Sequence, residues 1–301
     1  MSRDECSRER RSIPLIFPFC SRPEPRASTP TCSGPRAEQA RRRWPSLARQ
    51  MVAALCALSM LGVSACGGGG GGSGKKDEGD FVAEWDPGAT GLARALQREE
   101  LFEDLADALN DGFKLPRDLP IVHTSCGEEN AFYDPRQGAL LMCYELLDLV
   151  TSISLQLAED EEEAAQRAIG TWTFIFFHEL GHGLADLYEL PLTGGEEDAV
   201  DDFSTLLMIE ADLVQEVAYA ADFWLETDPG LVDASQFADE HSLNQQRFYN
   251  MLCLIYGSDP NRFDILVSGG HLPESRAVRC PGEYEQKLKA WETLLKPWSK
   301  E

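Results

Sequence analysis

The chain is short of positive charge. Against 51 Asp and Glu it sets only 27 Lys and Arg, a formal net charge of −24 over 301 residues. Residues 1–66 hold 11 of the basic residues and 5 of the acidic ones, so the remainder keeps 16 basic and 46 acidic residues, a formal net of −30. No basic stripe exists to neutralise phosphate, so no nucleic-acid partner is expected. The same acidity would repel acidic substrates and favours cationic or neutral polypeptides. Long apolar runs are also missing. The stretch from Met51 to Val63 falls well short of the roughly 20 residues a membrane helix needs. No CxxC occurs, which argues against a thiolate metal site. There are no internal repeats.

What the first residues do contain is an export signal. Arg41–Arg43 and Arg49 form a basic region, Met51 to Val63 an apolar one, and Val63-Ser64-Ala65-Cys66 ends in small residues and a cysteine. That end resembles a bacterial lipobox, which implies cleavage before Cys66 and lipidation of its thiol. The alternative is an ordinary signal peptide cut near Ala65. Residues 1–40, rich in Arg, Pro and Ser, carry no helical or strand period and read as an over-long start. The expected organisation is a leader over 1–65, a lipidated, glycine-rich tether over 66–80, and one domain over 81–301. Such a protein would cross the inner membrane and stay as a periplasmic or outer-surface lipoprotein of a bacterium, held by its lipid anchor. Cys126, Cys143, Cys253 and Cys280 remain in the body, an even number suited to an oxidising compartment. Of three connectivities, the pairs closest in sequence, Cys126–Cys143 and Cys253–Cys280, are favoured.

Helical spacing runs over Leu92–Leu109, Glu145–Leu157, a long segment from the acidic Glu159–Glu163 cluster to just before Pro191, Gly194 to about Glu226, Ser235–Tyr256 and Glu283–Leu295. Ile121–His123, Asn130–Tyr133 and Ala139–Tyr144 read as three short strands separated by turns. The expectation is an α+β fold, mostly helical, with a small antiparallel sheet near the long helix.

That long helix carries His178-Glu179-Leu180-Gly181-His182, an HExxH motif after the apolar run Thr171–Phe177. Histidines at i and i+4 sit on one helical face, as two ligands of one metal ion must. Glu179 lies round the helix from them, placed to take a proton from a water on that metal as it attacks a carbonyl. A catalytic zinc takes three protein ligands. Glu197-Asp198-Ala199-Val200-Asp201 has the form ExxxD, which makes Glu197 the favoured third ligand and Asp201 the acceptor that fixes a ligand histidine's tautomer. Glu196, Asp198 and Asp201 stay open as rival ligands, and the whole run also reads as an acidic helix N-terminus. Downstream, His241 is the first candidate and Tyr249 the second for stabilising an oxyanion, with Arg247 off to the side. His123 and His271 have no ligand partners at useful spacing and are read as structural.

HExxH followed by ExxxD resembles the gluzincin branch of zinc metallopeptidases, the thermolysin-like enzymes. Asn130-Ala131-Phe132-Tyr133 is similar to their Asn-Ala-x-aromatic edge strand. The resemblance implies a zincin-like fold in which Ala131 offers backbone groups to an extended peptide and Asn130 bonds it through its side chain. A nearer resemblance is to a bacterial, signal-bearing family of metallopeptidases of undescribed function. It is carried by Cys126-Gly127, Asn130–Pro135, Cys143–Leu146, the HELGH motif, the acidic stretch, Asp239–Leu243 and Gln246–Asn250, over nearly all of residues 90–290.

The reading is a zinc metallopeptidase with one Zn²⁺ per chain, held by His178, His182 and Glu197, with Glu179 as base and a polypeptide as substrate. Two other classes remain: a zinc hydrolase of a non-peptide envelope amide, and a non-catalytic lipoprotein whose metal is structural, which a fourth protein ligand such as His241 would favour.

Overall fold

The protein is described as a computed structural model covering residues 75–89, 91–228, 230 and 240–300. Residues 1–74, with the expected leader, Cys66 and the glycine run, lie outside the described residues. The elements are β1 (Phe81–Trp85), α1 (Gly91–Arg98), α2 (Leu101–Gly112), β2 (Leu119–Thr124), β3 (Ala131–Asp134), β4 (Ala139–Cys143), α3 (Tyr144–Leu157), α4 (Glu161–Tyr188), α5 (Glu196–Glu210), α6 (Val214–Glu226), α7 (Asn244–Ser258), α8 (Ile265–Ser268), α9 (Glu274–Ala277) and α10 (Cys280–Leu295). Among the described residues, no helix is long and apolar enough to cross a membrane.

Helix α4 is the axis of the molecule. Asp160 caps it by accepting from the Glu163 amide at 2.9 Å, while the Glu163 carboxylate reaches back to the Glu159 amide at 2.8 Å. This reciprocal arrangement satisfies orphan donors at the start, where three acids also suit the helix dipole. From Ala168 to Gly181 every residue is buried. A helix apolar all round needs neighbours all round, and α3, α5, α6 and the sheet supply them. Its far end closes at Glu189, in the left-handed region at φ 50°.

The sheet is a correction to the antiparallel one expected. Its strand order is β1-β2-β4-β3, with β1 and β2 parallel, β2 and β4 parallel, and only β3 antiparallel to β4. Three extended segments joined by short turns look like a meander. Here β4 inserts between β2 and β3, so the β3–β4 hairpin lies with its first strand outermost. The fourth strand, β1, brings Phe81–Trp85 alongside Leu119–His123. Hydrogen bonding into the body already starts within the expected tether: the Glu78 amide donates to the Leu115 carbonyl at 2.7 Å, and Lys300 pairs with Asp77 at 2.7 Å.

Two expected helices are each two. Leu92–Leu109 breaks at Glu100, and the helix from Gly194 to Glu226 breaks at Asp212; both residues are left-handed at φ 56°. Of Ser235–Tyr256, residues 235–239 lie outside the described residues and the helix starts at Asn244. Both favoured disulfides are present, Cys126–Cys143 and Cys253–Cys280. The first ties the loop after β2 to the end of β4. His123 sits fully buried, stacked on Trp85 at 3.9 Å between ring centroids, with Phe102 edge-on at 4.4 Å.

Candidate metal centre

The close approach of α4 and α5 builds the site. A Cβ on Gly181 would lie 2.9 Å from the Val200 side chain, so only glycine lets the two helices meet there. Gly181 falls between the two histidines, and Val200 is one turn past Glu197. The contact therefore brings Glu197 against the histidine face. On another side of α4, a Cβ on Gly183 would lie 3.3–3.5 Å from the side chains of Leu119, Leu140 and Tyr133 of the sheet.

Three imidazoles converge on Glu197. His178 Nε2 lies 3.1 Å from its Oε2, His241 Nε2 3.1 Å from the same oxygen, and His182 Nε2 3.2 Å from Oε1. Among the described residues, His178, Glu197 and His241 form a group whose ligand atoms all lie within 4.8 Å of one another; His182 falls outside it and meets the second carboxylate oxygen. Zinc–ligand distances of about 2.0–2.1 Å in a tetrahedron put neighbouring donors about 3.3 Å apart, close to these separations. The chemistry of the donors and their imidazole–carboxylate separations suit a metal ion that prefers such ligands, with His182 the donor farthest from the common group.

The ring nitrogens facing away from Glu197 are held by acids. His178 Nδ1 meets Asp201 Oδ1 at 2.8 Å, and His182 Nδ1 meets Glu196 Oε1 at 2.8 Å. With Nδ1–H donating, each Nε2 presents a lone pair. Asp201 is itself held by the buried Arg247, whose Nε and Nη2 each donate to it at 2.7 Å. That guanidinium lies 3.7 Å over the Trp224 ring. Burial would raise the Asp201 carboxyl, but the Arg247 charge and the His178 bond hold it well below the usual range. Burial would lower both histidines, yet the bonds to acids push His178 and His182 up to about 9. Glu197, although half-buried, is held low by its three imidazoles.

Glu179 points elsewhere. Its Oε2 accepts from the backbone N–H of Tyr133 on β3 at 3.0 Å. Burial raises its pKa, against the pull of His178 and His182. The Cys143 amide donates to the Asn130 carbonyl at 3.3 Å, which fixes the phase of the β3–β4 ladder. In that phase Ala131 and Tyr133 turn their backbone groups to the outer edge. The Ala131 N–H is taken by Asn130 Oδ1 at 3.0 Å.

A cleft of about 470 Å³ opens beside these groups, lined by Asn130 and Ala131 from the edge, by His178, Glu179 and His241, and by Leu146, Leu149, Ile175, Phe223 and Trp224. Asn130, Ala131, His178, Glu179, Glu197, Asp201, His182 and His241 are thus brought together. Tyr249 is not: it is 39% exposed, packs edge-on against Phe248 and does not line the cleft. Sequence reasoning missed the role of Arg247, whose one signal was a lone cation in an acid-rich region, and missed that Glu196 braces His182.

The fold and the cluster define an α+β protein with an imidazole–carboxylate cluster that could hold a metal ion, at the edge of a mixed sheet. A family model described as "Putative metallopeptidase" (DUF4344) matches residues 84–295, and the chain belongs to that family. No curated protein and no solved structure matches it.

Proposed function

We propose that this protein is a zinc-dependent metallopeptidase with a gluzincin-like, zincin-type site. The observation that carries the reading is the convergence of three imidazole nitrogens on Glu197 next to a carboxylate, Glu179, that reaches a sheet edge. His178, His182 and Glu197 would hold the ion. When bound, zinc would act as a Lewis acid on the scissile carbonyl and lower the pKa of water at the site.

The remaining chemistry falls to the chain. An extended peptide lies along the outer edge of β3, where the Ala131 and Tyr133 carbonyls face outward and a peptide would replace Asn130 and Glu179 as partners of their N–H groups. Leu146, Leu149, Ile175, Phe223 and Trp224 take its apolar side chains and exclude water. Glu179 removes a proton from the attacking water and delivers it to the leaving amine nitrogen. Its raised pKa suits both halves of that task. His241, at the mouth, donates to the oxygen that becomes negative as the carbonyl is attacked. Asp201 and Arg247 keep His178 in one tautomer and orientation.

We read residues 1–65 as an export signal and Cys66 as the lipid-bearing residue, which makes the protein an envelope lipoprotein; the two disulfides accord with an oxidising compartment. The test is metal content and peptide-library cleavage for the full chain beside Glu179→Gln. One zinc per chain in both, with cleavage only in the unaltered protein, is expected. Zinc in both and cleavage in neither would reject the peptidase reading.

A further inference from the structure

The metallopeptidase reading uses His241 only as a donor, yet His241 stands as close to the ligand carboxylate as the two motif histidines do. The three Nε2–carboxylate separations are 3.1, 3.2 and 3.1 Å, and His241, not His182, completes the group whose ligand atoms all lie within 4.8 Å of one another. Its ring lies nearly parallel to that of His178, 17° apart at 6.5 Å. The segment carrying it is tied to the ligand turn, because Ser242 Oγ donates to Asp198 Oδ1 at 2.6 Å and Asp198 follows Glu197 in α5.

We propose that His241 is a fourth protein ligand to the metal in the resting protein, and that a polypeptide entering the cleft displaces it. This rests on the metallopeptidase reading and adds a resting state to it. Four protein ligands close a tetrahedral site, the arrangement of structural rather than catalytic zinc. One of the four must leave before chemistry, and the ligands are unequal in a way that selects it. His178 and His182 are held within α4, 8% and 15% exposed in their side chains. His241 is 45% exposed, lies ahead of α7 rather than within a helix, and lines the cleft an occupant must fill. Once displaced, its imidazole remains at the mouth, where the oxyanion donor is needed. Substrate arrival would thus open the site and place the donor together, and the resting enzyme would be shielded from small competing ligands.

The test uses the full-length protein loaded with Co²⁺, whose visible spectrum reports its ligands. Azide serves as the probe of an open position. Loss of even an outer partner typically weakens metal binding about 10–100-fold, so His241→Ala should lower Co²⁺ affinity at least about tenfold, change the spectrum, and bind azide far more tightly than the unaltered protein. Ser242→Ala, which loosens the tether alone, should fall between the two. A saturating peptide carrying an apolar residue should shift the unaltered spectrum toward that of His241→Ala. Equal Co²⁺ affinities, spectra and azide binding in the unaltered protein and His241→Ala would overturn the proposal while leaving the metal centre standing. No Co²⁺ bound by a folded, unaltered protein would overturn the centre itself, and this inference with it.

Discussion

Asp201→Asn separates two jobs that one carboxylate performs. Asp201 accepts from His178 Nδ1 at 2.8 Å and takes both hydrogen bonds of the Arg247 fork at 2.7 Å, with all three side chains buried. The amide keeps the shape but loses the charge. For the metal, the loss of a partner behind a ligand histidine is worth about 10–100-fold in affinity. For the fold, the guanidinium is left buried without its counter-charge, which typically costs about 3–5 kcal/mol. The Trp224 face, 3.7 Å beneath it, is present with or without the Asp201 charge and so leaves that cost unchanged. A loss of about 3–5 kcal/mol in a domain of this size lowers the melting temperature by about 6–20 °C. Chelator competition for zinc reads the first effect; guanidinium unfolding of the metal-free protein reads the second. Adding Arg247→Met should restore much of the stability, because the orphan charge is gone, but none of the metal affinity. Zinc affinity within twofold of the unaltered protein would refute the bracing of His178. Recovery of both quantities together in the double variant would refute their separation.

Other perturbations reach the same architecture from different sides. Gly181→Ala puts a methyl 2.9 Å from Val200; overpacking of this kind costs about 1–3 kcal/mol, and denaturant unfolding should show Val200→Ala recovering part of it. His123 is held at about 3 by burial against an ordinary 6.5. The folded state therefore refuses a proton that the unfolded state accepts, and stability is lost as pH falls from 6.5 toward 3. By linkage, about 2 kcal/mol should be gone by pH 5, and His123→Phe should remove that share of the acid slope in unfolding curves. The metal-free protein should behave oppositely in alkali. His178 and His182 titrate near 9 when folded, so their ion pairs stabilise fully below pH 6.5 and are lost as pH rises through 9. Zinc competes with those same protons. The melting-temperature gain on adding zinc should therefore grow from pH 6.5 to 9, and a flat gain would count against these histidines as ligands.

Local chemistry was legible in the sequence and long-range pairing was not. The long helix announced itself through the Glu159–Glu163 cluster and the apolar run to Phe177, because capping and burial act within one element. The disulfides followed from nearest spacing. The sheet was read as antiparallel because strand order depends on where a hairpin docks, and no residue in Ala131–Cys143 states that β4 rather than β3 will lie beside β2. The breaks at Glu100 and Asp212 were hidden for another reason. Neither is glycine or proline, and a left-handed turn at an ordinary residue is imposed by the packing of the helices on either side.

The site divides along the same line. HExxH could be read because its two histidines share one helix face, so spacing alone fixes their relative geometry. Among the acids 14 to 23 residues beyond His178 and His182, the ExxxD spacing favoured Glu197 and Asp201 but left Glu196 and Asp198 open as rivals. Glu196 braces His182, Glu197 faces all three imidazoles and Asp201 braces His178. What sorts them is the Gly181–Val200 contact, which sets the rotation of α5 against α4. Three acids of similar chemistry thereby acquire two different duties from one missing side chain. The glycine inside the motif is consequently as much a determinant of the centre as the histidines beside it. A metal site placed between two helices is specified by its ligands and also by the smallest residue at the point where the helices touch.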